Sequence, residues 1–300
     1  TWEFANDGME SLSVGDLLID PINPEVLIAG TADGIFRSED GAVTWELTSS
    51  NTINYKELAF KPGDSQIVYA TGQGRFYKSV DNGLNWDYVN NGIQQGTRMV
   101  IAVTPANPEY VYVCSANSTD FRALFRSTDS GESFEEMSDS PNILSWAADG
   151  NGEGGQAWYD LCISADPVNA DRIYVGGIRV KRSDDGGATW IDVQNSYLHV
   201  DQHWMEFSPH NGQMYLCNDG GIYLYENNTD WVDITNGIVN SQIYKFGQSQ
   251  FNASKALCGF QDNGTSEYNG TNWQRINGGD GFESAYDPED PEYWYTSLYY

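Results

Sequence analysis

The stretch FRSEDGAVTWE (Phe36–Glu46) recurs three times farther along the chain. The later copies are YKSVDNGLNWD (Tyr77–Asp87), FRSTDSGESFE (Phe125–Glu135) and KRSDDGGATWI (Lys181–Ile191). They share the frame S-x-D-x-G-x-[TSN]-[WF], called the box below, in which the first copy has Ala42 at the glycine position. Such a repeat indicates a fold assembled from similar units, each of which packs against its neighbours.

The aromatic residue that closes each copy marks the length of the repeating unit. Two weaker copies, YENNTDW and EYNGTNW, extend the series, and the opening Thr1-Trp2 resembles the end of another. Successive closing aromatics lie 43, 41, 48, 56, 41 and 42 residues apart, which is the length of a four-stranded sheet unit. The closing aromatics are Trp2, Trp45, Trp86, Phe134, Trp190, Trp231 and Trp273.

Seven such endings predict an all-β fold, a seven-bladed β-propeller with four strands in each blade. Runs rich in Val, Ile and Tyr supply the strands, and Pro, Asn and Gly supply the turns between them. We expect residues 1–300 to form a single propeller domain. Its last blade, residues 280–300, is expected to be incomplete or to be closed by residues 1–8. The alternative is that the chain is an excerpt of a longer array.

The residue types of the box suit a structural role in a hairpin turn. A carboxylate in the turn accepts hydrogen bonds from nearby backbone N–H groups, and glycine takes the position with positive φ. The closing aromatic then packs into the core. We predict this structural role for the four box aspartates Asp40, Asp81, Asp129 and Asp185.

The charge of the chain limits its partners. Asp and Glu number 43 against 15 Lys and Arg, and the formal net charge is −28. Because phosphate binding needs clustered Lys and Arg, we expect no binding to nucleic acid. No apolar run is long enough to span a membrane, so we expect no membrane insertion. Neutral polymers, cations and basic proteins remain as partners.

The box copies resemble the Asp-box, or bacterial neuraminidase repeat, of sialidases, xyloglucan-cleaving glycoside hydrolases and the sortilin-type receptor propeller. The resemblance implies a propeller, but unrelated activities share this frame. In the second half, GQAWYDLCISADP, LHVDQH, CNDGGIY, GFQDNGT and GGDG resemble propellers of large secreted Bacteroidota proteins. Those proteins typically carry a C-terminal sorting domain for type IX secretion. This resemblance implies an extracellular or cell-surface protein that associates with secretion machinery or with other domains of its own chain.

Two kinds of glycosidase are among the families that the box resembles. A sialidase is disfavoured, because the F-R-I-P element is absent and three of the nine arginines lie beside box serines. A xyloglucanase-like enzyme needs two carboxylates across a sugar-sized cleft, and the family resembled builds that cleft between two propellers, with one acid from each. This chain holds one propeller at most. The candidate catalytic residues are Asp160, Asp201 and Asp280.

The stretch LHVDQH (Leu198–His203) places His199, Asp201 and His203 at alternate positions. On a strand these three would share one face. They could then bind a divalent cation such as zinc or manganese, the only cofactor considered. The two histidines would lie roughly 13 Å apart at the rise of a strand, too far to reach one ion together. The alternative is a structural polar network among the inner strands of the propeller.

The longest gap between boxes contains PNILSWAADGNGEGGQAW, with Trp146 and Trp158. We predict that these tryptophans stack on a sugar or peptide; the alternative is a disordered insertion. Asp219 and Asp262, each beside glycine, are further candidate ligand-binding residues. The favoured function is a non-catalytic binding or scaffold module that presents loops to a protein or neutral glycan. The alternative is a glycoside hydrolase that acts on a neutral polysaccharide with paired axial aspartates.

Overall fold

The computed structural model of the chain describes residues 3–9, 13–227, 229–238, 241–290 and 292–299. In these ranges all regular structure is β-strand, and no helix is present that could cross a lipid bilayer. Seven antiparallel sheets follow one another along the chain, six with four strands and the last with two. Within each sheet the strands are hydrogen-bonded in chain order. This is the architecture of a seven-bladed β-propeller, so the predicted fold class is confirmed.

The first three sheets consist of β1 (Val14–Ile19), β2 (Leu27–Thr31), β3 (Gly34–Ser38), β4 (Glu46–Leu47), β5 (Tyr55–Lys61), β6 (Asp64–Gly72), β7 (Arg75–Ser79), β8 (Asp87–Val89), β9 (Arg98–Val103), β10 (Val111–Ala116), β11 (Phe121–Ser127) and β12 (Glu135–Ser138). The fourth and fifth consist of β13 (Cys162–Ala165), β14 (Ile173–Gly176), β15 (Val180–Ser183), β16 (Ile191–Asp192), β17 (Gln202–Phe207), β18 (Met214–Asn218), β19 (Gly221–Glu226) and β20 (Asp230–Asp233). The last two consist of β21 (Ile243–Gln248), β22 (Ala256–Phe260), β23 (Gly264–Tyr268), β24 (Trp273–Asn277), β25 (Gly281–Tyr286) and β26 (Trp294–Leu298).

The residues fall into two compact units. The first unit comprises Thr1–Cys217 and Leu224–Val232, and it contains the first four sheets together with β17. The second unit comprises Asn218–Tyr223 and Asp233–Tyr300, and it contains the sixth and seventh sheets. Trp2, one of the expected blade endings, lies outside the described residues. Ala5 and Asp7 accept hydrogen bonds from Trp45, through its indole Nε1 (2.9 Å) and its backbone N–H (2.8 Å) respectively.

The core of the first unit lies between the faces of successive sheets. The middle strands β10 and β14 are buried along their whole length and are almost entirely apolar. Tyr112 and Val175 belong to one fully buried cluster, and Phe76 and Phe125 belong to the next. A strand that is covered on both faces needs apolar residues at every position rather than at alternate ones. This explains why the second strand of each early repeat has a nearly continuous run of apolar residues.

The third box shows how the repeat stabilises its hairpin. Asp129 accepts hydrogen bonds from the hydroxyls of Ser127 (2.7 Å) and Ser133 (2.6 Å) and from the backbone N–H of Ser133 (2.9 Å). Ser127 in turn accepts the backbone N–H of Gly131 at 2.8 Å. The equivalent aspartates, Asp40, Asp81 and Asp185, accept the same set of bonds from their own serine and from the residue four positions later. Ala42 of the first box takes a positive φ of 70°, the backbone conformation for which the other copies have glycine.

The closing aromatics begin or immediately precede the fourth strand of each sheet. Trp45, Phe134 and Trp231 are buried as predicted. Trp273 is 54% exposed, so the prediction that it anchors its strand in the core is wrong. It lies on the outermost strand of its sheet and contacts the ring of Tyr268, with 5.3 Å between centroids. The sixth sheet therefore keeps the strand order of the earlier ones without the buried aromatic.

The box bonds predict a measurable loss of stability for Asp129→Ala. Partial burial works to raise the pKa of Asp129, but the hydrogen bonds from Ser133 and Ser127 outweigh it and hold the pKa at about 2. Because the turn is solvent-exposed, we expect the substitution to cost about 1–2 kcal/mol of unfolding free energy near neutral pH. The stabilisation by a carboxylate with a lowered pKa is present above its unfolded value and is lost as the pH falls through about 2.

The measurement is the denaturation midpoint in urea at several pH values. Glu135→Ala is the matched control, because Glu135 is an exposed carboxylate on the same hairpin that makes no side-chain hydrogen bond with a described residue. Equal midpoints for the two variants would contradict the structural role of the box aspartate.

Candidate functional site

The segment before β13 is held within the first unit by the guanidinium group of Arg98 and by a backbone hydrogen bond from Trp158 to Ser118 (3.0 Å). Arg98, the first residue of β9, donates hydrogen bonds to the backbone carbonyls of Ala157 (2.9 Å), Tyr159 (3.2 Å) and Leu161 (3.1 Å). Three carbonyls at alternate positions face one planar donor, which matches the geometry of the guanidinium group. The segment therefore has a defined position, and so does Trp158, the residue within it that was a candidate for ligand binding.

The rest of the long loop is held in a similar way. Lys181 donates hydrogen bonds to the carbonyls of Ala147 and Ala148, and Asn142 donates one to Gly154 at 3.1 Å. Despite this anchoring, Trp146 and Trp158 remain 61% and 64% exposed. An indole held on a fixed backbone and open to solvent can stack on a sugar ring, because it loses little conformational entropy on binding.

Two of the candidate catalytic residues lie side by side in this unit. Asp160 is fully buried, and Asp201 is partly exposed. The side-chain amide of Gln156 donates to both carboxylates, at 3.1 Å to Oδ2 of Asp160. Burial raises the pKa of Asp160 to about 7; the Gln156 bond opposes this rise, and the charge of Asp201 adds to it. At neutral pH the two groups therefore titrate as a pair that holds one proton.

Asp201 occupies a strained backbone position. Its φ of 67° lies in the left-handed region that non-glycine residues seldom adopt. The strand β17 begins only at Gln202, whose side-chain amide donates to the carbonyl of His199 at 2.7 Å. The expectation that His199, Asp201 and His203 share one face of a strand is therefore wrong, because the turn at Asp201 interrupts the alternation. Strained residues of this kind cluster at functional sites.

The predicted metal set is not assembled from these residues. Nδ1 of His199 lies 3.0 Å from the carbonyl of Val200, and the ring of His203 contacts Tyr159 edge-on at 4.8 Å between centroids. In the part of the chain that the structure describes, His199, Asp201 and His203 do not bring three ligand atoms within 4.8 Å of one another. The histidines contact the backbone and an aromatic ring, as the structural alternative requires.

A cavity of about 320 Å³ lies beside Trp158. Apart from the indole and Met99, its walls are polar or small, and they carry amide and hydroxyl groups that hydrogen-bond neutral ligands. Besides Trp158, the polar lining residues are Asn54, Lys56, Thr71, Gln73, Thr97, Arg98 and Ser118. An exposed indole next to amides and hydroxyls is a combination that suits a sugar.

The remaining candidates belong to the second unit. Asp280 accepts the backbone N–H of Asp262 at 2.7 Å, and the side-chain amide of Asn263 donates to the carbonyl of Asp219 at 3.2 Å. Asp262 has a positive φ of 58°. The structure thus brings Asp219, Asp262 and Asp280 together in turns of one unit, and it places Asp280 in a different unit from Asp160 and Asp201.

Two residues that position this site were not recognised in the sequence. Arg98 opens an apolar strand, RMVIAV, and a charged residue at the start of such a strand was the available signal. Gln156 carries no comparable signal, because an amide in a glycine-rich loop is common. Both residues act through contacts with segments far from them in the sequence.

Three curated proteins similar to this chain are named xyloglucanases. The chain is 30% identical over 168 residues to that of Hypocrea jecorina (strain QM6a), covering 55% of this chain and 18% of the relative. It is 27% identical over 226 residues to that of a Paenibacillus species (66% and 21%). It is 27% identical over 285 residues to that of Acetivibrio thermocellus (64% and 33%). The chain thus spans a third or less of the length of the curated relatives it matches. No family model matches the chain.

Solved structures show the same fold. The GH74 enzyme of Niastella koreensis superposes with a TM-score of 0.60 and 18% identity, covering 94% of this chain and 53% of that one. YCF48 bound to a D1 peptide superposes with a TM-score of 0.52 and 13% identity, covering 97% and 91%. At such identities the likeness concerns the propeller fold alone.

The curated relatives correct the favoured function. A non-catalytic binding or scaffold module was expected, but the proteins that match this chain at 27–30% identity are named as enzymes that cleave a polysaccharide. The expectation of a scaffold is contradicted, and the glycoside hydrolase alternative agrees better with these relatives.

The paired carboxylates predict a distinct pH dependence of stability. A carboxyl whose pKa is raised from 3.8 to about 7 on folding binds its proton more tightly in the native state. Stability therefore falls as the pH rises from about 4 to about 7, by up to about 1.4 kcal/mol per pH unit for one proton. Asp160→Asn cannot titrate, so we expect it to remove this part of the slope.

Unfolding free energies measured by urea denaturation across this pH range test the expectation. Glu57, whose pKa is raised to about 8, and Asp16, whose pKa burial also raises, contribute in the same direction, so the slope of Asp160→Asn should become shallower without reaching zero. Asp33→Asn, in the exposed turn between β2 and β3, is the control and should keep the full slope. An unchanged slope in Asp160→Asn would refute the pairing.

Proposed function

We propose that this chain supplies a β-propeller of a glycoside hydrolase that cleaves a neutral polysaccharide of the xyloglucan type. The similarity to three xyloglucanases from different organisms carries the proposal. A neutral polymer also agrees with a net charge of −28, because such a surface repels anionic substrates but not uncharged ones.

The geometry of the first unit supports sugar binding next to an acid. Trp158 and Asp160 are two residues apart in the segment held by Arg98, and Gln156 joins Asp160 to Asp201. Trp158 would stack on a sugar ring, and the polar wall of the adjacent cavity would hydrogen-bond its hydroxyls. Asp201, the exposed member of the pair, would face the glycosidic oxygen.

The carboxylate pair can act as the proton donor of glycoside hydrolysis, but not as both of its catalytic groups. Glycoside hydrolysis needs a protonated acid at the leaving oxygen and a second carboxylate across the sugar. Asp160 and Asp201 accept hydrogen bonds from the same nitrogen, so they lie too close together to stand on opposite sides of a sugar. We assign proton donation to Asp201, with the buried Asp160 keeping a proton in the pair near neutral pH.

We further propose that the repeats are of the Asp-box type and that the protein acts outside the cell. The hydrogen bonds of the four box turns support the first part. A polymeric substrate supports the second, because a polysaccharide is cleaved where it is found. Transport by type IX secretion, implied by the Bacteroidota resemblance of the second half, is part of the same proposal.

Hydrolysis of xyloglucan by the purified protein, measured as released reducing ends, tests the proposed activity. We expect Asp201→Asn to lower kcat by at least about 100-fold, because it removes a general acid. Trp158→Ala should raise KM by about tenfold with little change in kcat, because stacking contributes to binding of the ground state.

Asp33→Asn is the matched control and should retain wild-type kinetics. Full activity of Asp201→Asn would remove that residue from the mechanism. A wild-type protein inert towards xyloglucan and other neutral polysaccharides would refute the hydrolase proposal itself.

A further inference from the structure

A second, larger cavity lies among the innermost strands of the first unit. Its volume is about 570 Å³, and β1, β5, β9, β13 and β17 all contribute to its wall. That volume is sufficient for a small organic molecule. Most of the wall is apolar, and the larger apolar side chains in it are Leu18, Phe60, Ile101, Ile163, Trp204 and Phe207.

Three carboxylates interrupt this apolar wall. They belong to Asp16, Glu57 and Glu206, and none of the described lining residues is Lys, Arg or His. Asp16 accepts two backbone N–H groups, from Leu17 at 2.7 Å and from Leu58 at 2.8 Å. Two of the carboxylates, those of Glu57 and Glu206, thus have no backbone donor among the described residues.

Glu57 is the carboxylate without a partner. Its side chain is partly buried, and no described residue donates a hydrogen bond to it or places a cationic nitrogen within 4.0 Å. Glu206, in contrast, is exposed and lies 3.4 Å from the indole Nε1 of Trp204. A partly buried carboxylate in an apolar wall loses part of its hydration, and without a donor no hydrogen bond compensates for that loss when it is ionised.

Arg98 forms no ion pair with Glu57, although the positive charge of Arg98 lowers the pKa of Glu57. The guanidinium makes its hydrogen bonds to the carbonyls of the segment that carries Trp158. Burial raises the pKa of Glu57 to about 8; the charge of Asp16 adds to this effect, and that of Arg98 opposes it. The other titratable groups among the described residues that line the cavity are the thiol of Cys162, whose pKa burial also raises, and Glu206.

We propose that this cavity binds an organic cation, an ammonium group carried on an aliphatic chain. The ammonium would pair with the Glu57 carboxylate, and the chain would lie against the apolar wall. The rings of Phe60, Trp204 and Phe207 would attract the cation further through their π faces. The net charge of −28 raises the local concentration of cations around the protein. This site is independent of the proposed hydrolase activity.

The pairing couples binding to proton release. Near pH 7 an empty cavity keeps Glu57 protonated, because its pKa is about 8. A cation stabilises the ionised form, so the proton leaves as the ammonium enters. Above about pH 9 Glu57 is already ionised in the empty cavity, and binding no longer releases a proton.

Titration calorimetry with hexylammonium, 1-hexanol and hexanoate tests the proposal on the unmodified protein. We expect one hexylammonium to bind, with at least about tenfold weaker binding of the neutral alcohol and no binding of the anion. Quenching of tryptophan fluorescence, through Trp204, should follow the same curve. Heats in two buffers of different ionisation enthalpy should show proton release near pH 7 and none above about pH 9.

Glu57→Gln should weaken hexylammonium binding by at least about tenfold and abolish proton release. Glu46→Gln is the matched control, because Glu46 is an exposed glutamate at the start of β4 that makes no side-chain hydrogen bond with a described residue. Equal binding of the alcohol and the ammonium would reduce the cavity to an apolar pocket and overturn the proposal. So would weak binding at several sites that Glu57→Gln leaves unchanged, or no saturable binding at all.

Discussion

The hydrogen bonds of Arg98 are the interaction on which the functional architecture of the first unit depends. One guanidinium fixes three carbonyls between Ala157 and Leu161, and this positions both the exposed Trp158 and the buried Asp160. The hydrogen bonds of the guanidinium go to these carbonyls and not to Glu57, which is left without a hydrogen-bond partner among the described residues in the apolar cavity. A single, partly buried cation thus orders one candidate site and leaves the carboxyl group of a second one unpaired, because its donors are used by neutral carbonyls.

The fold could be predicted almost completely from the sequence, because the box is a local structure. Its hydrogen bonds join residues at most four positions apart, as from Ser133 to Asp129. A short sequence motif is therefore sufficient to predict them. Each motif marks the last hairpin of a sheet, and the spacing then defines the sheets. Of the two copies that had lost the serine and the aspartate, one kept its buried aromatic, Trp231, and the prediction failed at the other. At Trp273 the aromatic survives on an outer strand without being buried.

The candidate site was predictable in its residue types but not in its geometry. Trp158, Asp160 and Asp201 were identified because they stand out in sequence, but the two aspartates are joined through Gln156, whose hydrogen bond to Asp201 spans 45 positions. No local pattern records such a contact. The alternation of His199, Asp201 and His203 was misleading, because a periodicity of two assumes an extended backbone and Asp201 has a positive φ. The role of Arg98 could not be predicted, because its partners are backbone carbonyls, which every residue has.

Composition could not separate an enzyme from a scaffold in this chain, for a physical reason. Acid catalysis of glycoside cleavage needs only one or two carboxylates in the right surroundings. In a chain with 43 acidic residues, composition alone cannot identify them. What distinguishes a catalytic carboxylate is a shifted pKa, which arises from burial and from a neighbouring charge. In the carboxylate pair of the proposed site, Asp160, the partner of the proposed proton donor, has both, since it is fully buried and lies beside Asp201. Box aspartates such as Asp129 are instead held in the ionised form by their hydrogen bonds. The same residue type thus serves opposite purposes in one chain, and its surroundings decide which.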